Sequence, residues 1–258
     1  ILDGSPPCST FSMAGSREKA WGKEKVFREG QAKQTLDDLV FVYCDTIIKL
    51  QPKVFILENV KGIIQGNAKA YSKAIVLKMQ KAGYEVQVFC LNAASMGVPQ
   101  KRERVFFIGY RKELNFGKLV LSFNEKPILF GELDEGAKVT RAKEENKTLL
   151  KYLKNVTNSG ILQTAKKSLG GKIGSVGFSY MVVPKEVPLT LIANKHSIYY
   201  YDKAHYITKK ELLQIGSYPL DYDFQGIEPK YLIGMSVPPV MTAQIAHQIL
   251  LQWFNKSV

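Results

Sequence analysis

Between positions 1 and 111 the apolar residues follow two periods in turn. Ile1 to Asp3 is a short apolar stub. Within Thr35 to Leu50, Leu36, Leu39, Val40, Tyr43, Ile47 and Leu50 fall on one helical stripe that Pro52 ends, so this spacing predicts an amphipathic helix. Val54 to Val60 (VFILENV) is continuously apolar up to its last turn and too short for a helix, which predicts a buried strand. Ala68 to Lys81 returns to the helical period with Gly83 as its stop, Tyr84 to Leu91 alternates as a strand does, and Arg104 to Tyr110 (RVFFIGY) predicts another strand. Strand, helix, strand, helix, strand is the order of a parallel sheet with covering helices.

Beyond Arg111 the periodicity fades, and Gly, Lys and short β-prone runs accumulate to about Asp202; Leu169 to Gly177 (LGGKIGSVG) has the composition of a loop. Two helical segments then return, Thr208 to Ile215 and Val240 to Phe254, the second introduced by Pro238 and Pro239. This predicts an α/β catalytic domain over 1–111, a smaller, irregular, mostly β domain over 112–207, and carboxyl-terminal helices over 208–258 that pack back on the first domain.

A chain of 258 residues, 45% hydrophobic, can bury a substantial core and is neither disordered nor a disulfide scaffold. Cys8, Cys44 and Cys90 are the only cysteines and lack zinc-like spacing, so no metal and a reducing compartment are expected. The longest apolar stretches fall far short of a bilayer span, which points to a cytoplasmic protein without membrane contact. The net charge of +13 favours a polyanionic partner. Its distribution is uneven, since 208–258 carries four basic and four acidic residues, whereas Asn146 to Lys185 holds seven lysines and no carboxylate. Such a run fits either a solvated face or phosphate contacts, with Lys166 and Lys167 the candidates for the latter.

Three clusters are candidates for chemistry. Cys8 lies in GSPPCSTFS directly after the first strand stub, where open α/β folds place ligands; prolines fix the turn, although an isolated cysteine is also compatible with a small buried hydrophobe. Glu58 ends the VFILENV strand and would face the same crevice, where desolvation raises a carboxyl pKa; a strand-end carboxylate in water is the simpler alternative. In Pro99-Gln100-Lys101-Arg102-Glu103-Arg104, alternation along an extended chain puts Gln100, Arg102 and Arg104 on one face, suited to anion or carbonyl recognition, or to a charged turn and nothing more.

PPCSTFS, ENVKGI, GVPQKRERVFFIGY and GMSVPPVMTAQI, in this order and spacing, make the sequence similar to the cytosine carbon-5 DNA methyltransferases of bacteria and phages, over Ile1 to Arg111 and again from about Thr208 to Phe254. The resemblance implies a Rossmann-like, class I methyltransferase mixed sheet, with the lysine-rich middle as a target-recognition domain. It implies S-adenosylmethionine as methyl donor and double-stranded DNA as substrate, in a restriction-modification system. Cys8 would be the nucleophile that adds to carbon 6 of cytosine, Glu58 would hold the exocyclic amine and ring nitrogen 3, Arg104 would bind the base carbonyl, and Arg102 would support the site. Pro7, Leu36, Ser236 and Val237 would line the donor, and Ser12, Arg17 and Gln100 would reach DNA. The target base would be flipped out of the duplex, and Ser9 to Gln34 would be the loop that closes over it.

The pattern departs from the family in two places. No DxFxGxGG-like donor loop precedes Cys8, so a further amino-terminal part, on this chain or a separate one, is expected to complete the fold, and this segment alone is expected to bind the donor weakly or not at all and to be inactive by itself. Met235 stands where the family has asparagine, and Thr208-Lys209-Lys210-Glu211 where it has TPRE. Two other readings stay open, a tRNA cytosine-5 methyltransferase and a non-catalytic DNA-binding or regulatory subunit.

Overall fold

The computed structural model describes residues 1–6, 24–25, 34–35, 39–133, 160–161, 180–193, 198–200 and 205–255. They form two compact units, one of residues 1–91, 103–121 and 248–258, the other of 92–102 and 122–247.

The first unit contains strands β1 (Leu2–Gly4), β2 (Glu24–Lys25) and β3 (Gln34–Thr35), helix α1 (Leu39–Leu50), strand β4 (Val54–Val60), helix α2 (Lys69–Lys81), and strands β5 (Tyr84–Asn92, its last residue in the other unit) and β6 (Glu103–Arg111). The main sheet has the order β1-β4-β6-β5. β1 runs parallel to β4, with Gly4 beside Leu57, but β6 runs antiparallel to β4, with Val60 opposite Arg104 and Val54 opposite Tyr110. The sheet is therefore mixed, as the resemblance implied, where the alternation of strand and helix alone suggested a parallel one. The cause is local: segment 93–102 between β5 and β6 is shorter than the dozen or so residues a parallel crossover needs.

β4 is buried through Val54–Asn59, as expected of a central strand covered on both faces. On one face, Phe55 and Leu57 pack with Val105 and Phe107 against Val40, Cys44 and Ile47 of α1 and Ile75 and Met79 of α2. Tyr110 of β6 meets the rings of Phe116 and Trp253. Gly83 takes φ of 90°, the left-handed conformation that lets the chain leave α2 and turn at once into β5.

The second unit contains helix α3 (Phe130–Leu133), strands β7 (Gly160–Ile161), β8 (Tyr180–Val182), β9 (Ile198–Tyr200) and β10 (His205–Tyr206), and helices α4 (Lys209–Ile215), α5 (Pro229–Met235) and α6 (Pro239–Ile249, the last two residues in the first unit). Its sheet has the order β10-β9-β8-β7. The core joins Phe130, Val182, Leu191 and Ile198 to Leu212, Leu213 and Ile215 of α4 and Ile233 of α5. The 208–258 segment therefore differs from its expected place: α4 and α5 belong to the second unit's own core, and only residues from 248 onward join the first. α4 starts at a reciprocal cap, in which Thr208 Oγ1 accepts from the Glu211 N–H and Glu211 Oε2 accepts from the Thr208 N–H.

Candidate functional site

The two first-unit candidates meet because of strand register. Glu58 lies opposite Phe106 and Arg104 opposite Val60, so the two sit diagonally on the same face of the β4–β6 ladder. Arg104 Nε reaches Glu58 Oε1 at 3.0 Å, with 13% and 11% of the two side chains exposed. Arg104 Nη1 also donates to its neighbour's carbonyl, Glu103 O, at 2.8 Å, which fixes the guanidinium plane. The arrangement offers a carboxylate acceptor beside a guanidinium donor at a strand end shielded from water. Lys61, on the next turn, bonds Glu103 Oε1 at 2.8 Å, and that hydrogen bond raises the lysine pKa above its ordinary value.

β1 brings the chain toward this same end. The Tyr43 hydroxyl of α1 donates to Leu2 O at 3.2 Å and to Ile56 O at 2.9 Å, tying β1 to β4. Burial, with a smaller contribution from Asp3, raises the phenol pKa and keeps that donor protonated. The Tyr43 ring lies over Gly4 so closely that a Cβ there would stand 2.3 Å from it. Beyond β1, Asn59 Nδ2 donates to Pro6 O at 3.4 Å, while its Oδ1 accepts from the Val60 N–H at 2.9 Å. Pro6 is thus tied to the residue next to Glu58. Pro7, Cys8, Ser12, Arg17, Leu36, Lys166 and Lys167 lie outside the described residues.

Gln100 and Arg102 have a different setting, within the second unit. Arg102 is fully buried; Nη1 donates to Leu191 O at 2.8 Å, and Nη2 to Gly234 O at 3.0 Å and Ser236 O at 2.7 Å. Its guanidinium is a staple between two backbone segments. Gln100 is 1% exposed, with Nε2 donating to Ile215 O and Oε1 accepting from the Leu191 N–H, both at 3.0 Å. Gln100 was expected to reach DNA; in this structure both ends of its amide are used inside the protein. Ser236 and Val237 are half-buried at the end of α5. The Ser236 N–H donates to Leu232 O, its hydroxyl to Ile233 O, and its carbonyl receives Arg102. With those groups engaged, a methyl donor would find apolar contact at Val237 and little polar recognition at Ser236.

Sequence reasoning missed Gly234, where an added Cβ would stand 2.4 Å from Ala193 N, so that α5 rests directly on the backbone at 192–193. The glycine stands inside the GMSVPP motif, which placed it by resemblance without indicating this packing role. Among the described residues no three His, Cys, Asp or Glu side chains cluster as metal ligands, and no helix is long and apolar enough to cross a membrane.

A family model described as C-5 cytosine-specific DNA methylase matches residues 1–251. The chain is similar to the Type II methyltransferase M1.HphI of Haemophilus parahaemolyticus, 28% identical over 269 residues, covering 97% of this chain and 68% of that relative. It is also similar to the Type II methyltransferase M.FnuDI of Fusobacterium nucleatum, 38% identical over 112 residues, 43% of this chain and 29% of that one. The solved structure of the Entamoeba histolytica methyltransferase EhMeth superposes with a TM-score of 0.64 at 15% identity, over 96% of this chain and 76% of its own, a likeness of fold.

Proposed function

Because the chain belongs to the C-5 cytosine-specific DNA methylase family, whose model spans residues 1–251, we propose that its own residues carry out methyl transfer to carbon 5 of a cytosine flipped out of duplex DNA. Carbon 5 is a weak nucleophile until something adds at carbon 6. In this reading the Cys8 thiolate forms a bond to carbon 6, and the ring electrons gather at carbon 5 as an enamine. Glu58 accepts the exocyclic amine and holds the proton at ring nitrogen 3, and Arg104 donates to the ring carbonyl oxygen, so both stabilise charge that develops during attack. S-adenosylmethionine, when bound, supplies a methyl group on a positively charged sulfur. Transfer would break the methyl–sulfur bond and release a neutral thioether; a base then removes the carbon-5 proton, whose bonding electrons re-form the carbon 5–carbon 6 double bond as the sulfur–carbon bond breaks to return the thiolate, and ring nitrogen 3 gives up the proton held beside Glu58.

The observation that carries this reading is the shielded Glu58–Arg104 pair at 3.0 Å, at the strand end where Asn59 also holds Pro6, two residues before Cys8. The proposed donor-lining set is Pro7, Leu36, Ser236 and Val237, with Val237 fit for an apolar contact and the Ser236 carbonyl also receiving Arg102. Lys166 and Lys167 would neutralise phosphates, which makes binding salt-dependent. Names of the Type II kind among the relatives support modification in a bacterial restriction-modification system, and a DNA substrate fits work in the cytoplasm.

The test is covalent capture. Duplex DNA carrying 5-fluorocytosine, incubated with methyl donor and the full-length protein, including any part that precedes Ile1, should leave a stable protein–DNA adduct, because fluorine cannot leave as the proton does. Cys8→Ser should abolish it. Binding without any adduct in the wild type would refute the reading.

A further inference from the structure

The three residues 100–102 are matched group by group against 188–191 inside the second unit. Lys101 N–H donates to Pro188 O at 2.8 Å, and Thr190 Oγ1 donates to Lys101 O. The Leu191 N–H donates to Gln100 Oε1 at 3.0 Å, and Arg102 Nη1 returns to Leu191 O at 2.8 Å. Lys101 and Leu189 form a parallel bridge within this set. Gln100 adds a third segment, since its Nε2 bonds Ile215 O at the end of α4. Its Oε1 also stands 3.5 Å from Arg102 Nη1. Only an amide of this length presents an acceptor to one main chain and a donor to another; methionine offers neither, and glutamate keeps the acceptor and loses the donor.

We propose that Gln100 is a positioning residue for methyl transfer: it registers the chain at 100–102 against 188–191 and the end of α4, and thereby sets where the chain stands two residues before Arg104. The proposal rests on the activity put forward above. In extended chain the Cα atoms of residues 102 and 104 are about 7 Å apart, and no loop lies between them to absorb a shift. A displacement of a reacting or stabilising group by about 1 Å lowers turnover roughly 10²-fold.

The full chain is assayed as wild type, Gln100→Met and Gln100→Glu, with labelled S-adenosylmethionine and duplex DNA, resolving kcat from KM for DNA, and with hydrogen exchange read at the Leu191 amide. Gln100→Met is expected to lower kcat roughly 10²-fold with KM for DNA unchanged, and to speed exchange at Leu191. Gln100→Glu, which still accepts from Leu191 and Arg102, is expected to recover part of the lost kcat and most of the protection. A raised KM with kcat intact would overturn the proposal in favour of a DNA contact, and a Gln100→Met enzyme equal to wild type would overturn it outright. Should Gln100→Met not fold, the kcat and exchange of Gln100→Glu decide between the same outcomes. A wild type that transfers no methyl group overturns the functional reading and this role with it, whereas an active wild type with unaffected variants overturns this role alone.

Discussion

Replacing Arg102 with methionine isolates what the buried guanidinium contributes to the second unit. The wild-type side chain is fully buried and donates to Leu191 O, Gly234 O and Ser236 O at 2.8, 3.0 and 2.7 Å. Hydrogen bonds to a charged donor are worth about 1.5–3 kcal/mol each, so three represent roughly 4.5–9 kcal/mol gross. Methionine no longer takes a charge out of water, and relief of that desolvation returns several kcal/mol. The carbonyls of buried Leu191 and of half-buried Gly234 and Ser236, however, lose this donor. Each neutral acceptor left without a partner costs about 1–3 kcal/mol, so three cost about 3–9 kcal/mol before the relief of desolvation is subtracted, and a net loss of about 3–5 kcal/mol is a large share of the 5–15 kcal/mol that holds a typical domain folded. With a urea m value of about 2 kcal/mol per molar, the second unit's midpoint should fall by about 2 M. Since the chain has two units, a single transition is not assumed; hydrogen exchange at Leu212, Leu213 and Leu191 follows the second, and exchange in β4 and β6 follows the first. The expected result is loss of protection in the second unit with β4 and β6 retained. A midpoint shift below about 0.5 M would refute the staple as a stabilising element.

Three other outcomes follow from single contacts. Thr208→Ala removes the side-chain half of the α4 cap and should destabilise the second unit by about 1 kcal/mol in urea titration, with Thr208→Ser close to wild type. Gly234→Ala drives a Cβ to 2.4 Å from Ala193 N, a backbone atom that cannot rotate away, and should cost about 1–3 kcal/mol or prevent folding of that unit; a wild-type midpoint would show that the contact relaxes freely. Burial pushes the Cys44 thiol from an ordinary value of 9.0 up to about 11, chiefly by desolvation. The folded state thus favours the neutral thiol, so this contribution to stability is whole below pH 9.0 and is lost as pH rises toward about 11. Peptide mapping after iodoacetamide treatment at pH 9 should find the exposed Cys90 labelled well before the buried Cys44, and urea should erase the difference.

What the sequence disclosed of this fold is what local composition can disclose. VFILENV and RVFFIGY were recognisable as strands because their apolar runs are short and bounded, and Gly83 as a helix stop because only a residue tolerant of positive φ follows α2 into β5. The direction of β6 was also written there, in the shortness of 93–102, but alternation of strand and helix masked it. α5 was missed although Glu228 caps it and Pro229 opens it, since seven residues are too few for a period to emerge. TKKE was compared with a family motif when its plainer meaning was Thr-x-x-Glu, a reciprocal cap. Gln100 and Arg102 were beyond reach for a different reason. Polar residues in QKRER suggest exposure, and what buries two of them is carbonyl oxygen from residues 191, 215, 234 and 236, brought there by tertiary structure that no local pattern encodes. Alternation did correctly separate Gln100, Arg102 and Arg104 from the exposed Lys101 and Glu103; what it could not supply was the environment each would enter.

That difference in environment separates two uses of arginine spaced two residues apart. Arg102 gives its Nη donors to main-chain oxygens, so it fixes backbone and offers those donors to no substrate. Arg104 faces a side chain, Glu58, and a side chain can exchange partners. At 3.0 Å and an effective dielectric constant near 20 the pair's attraction is about 5–6 kcal/mol, most of which is offset by the cost of holding two shielded charges away from bulk water. The net stabilisation is therefore small, and a ligand that presents donors to the carboxylate and an acceptor to the guanidinium can replace the direct contact at little cost. The edge of a cytosine ring has that order of groups, amine and protonated nitrogen on one side and carbonyl oxygen on the other. Glu58 is held by the β4 ladder and Arg104 by β6 and its bond to Glu103 O, so in the proposed reaction neither would have to reorganise as charge develops on the ring, which is the condition under which such groups accelerate a reaction.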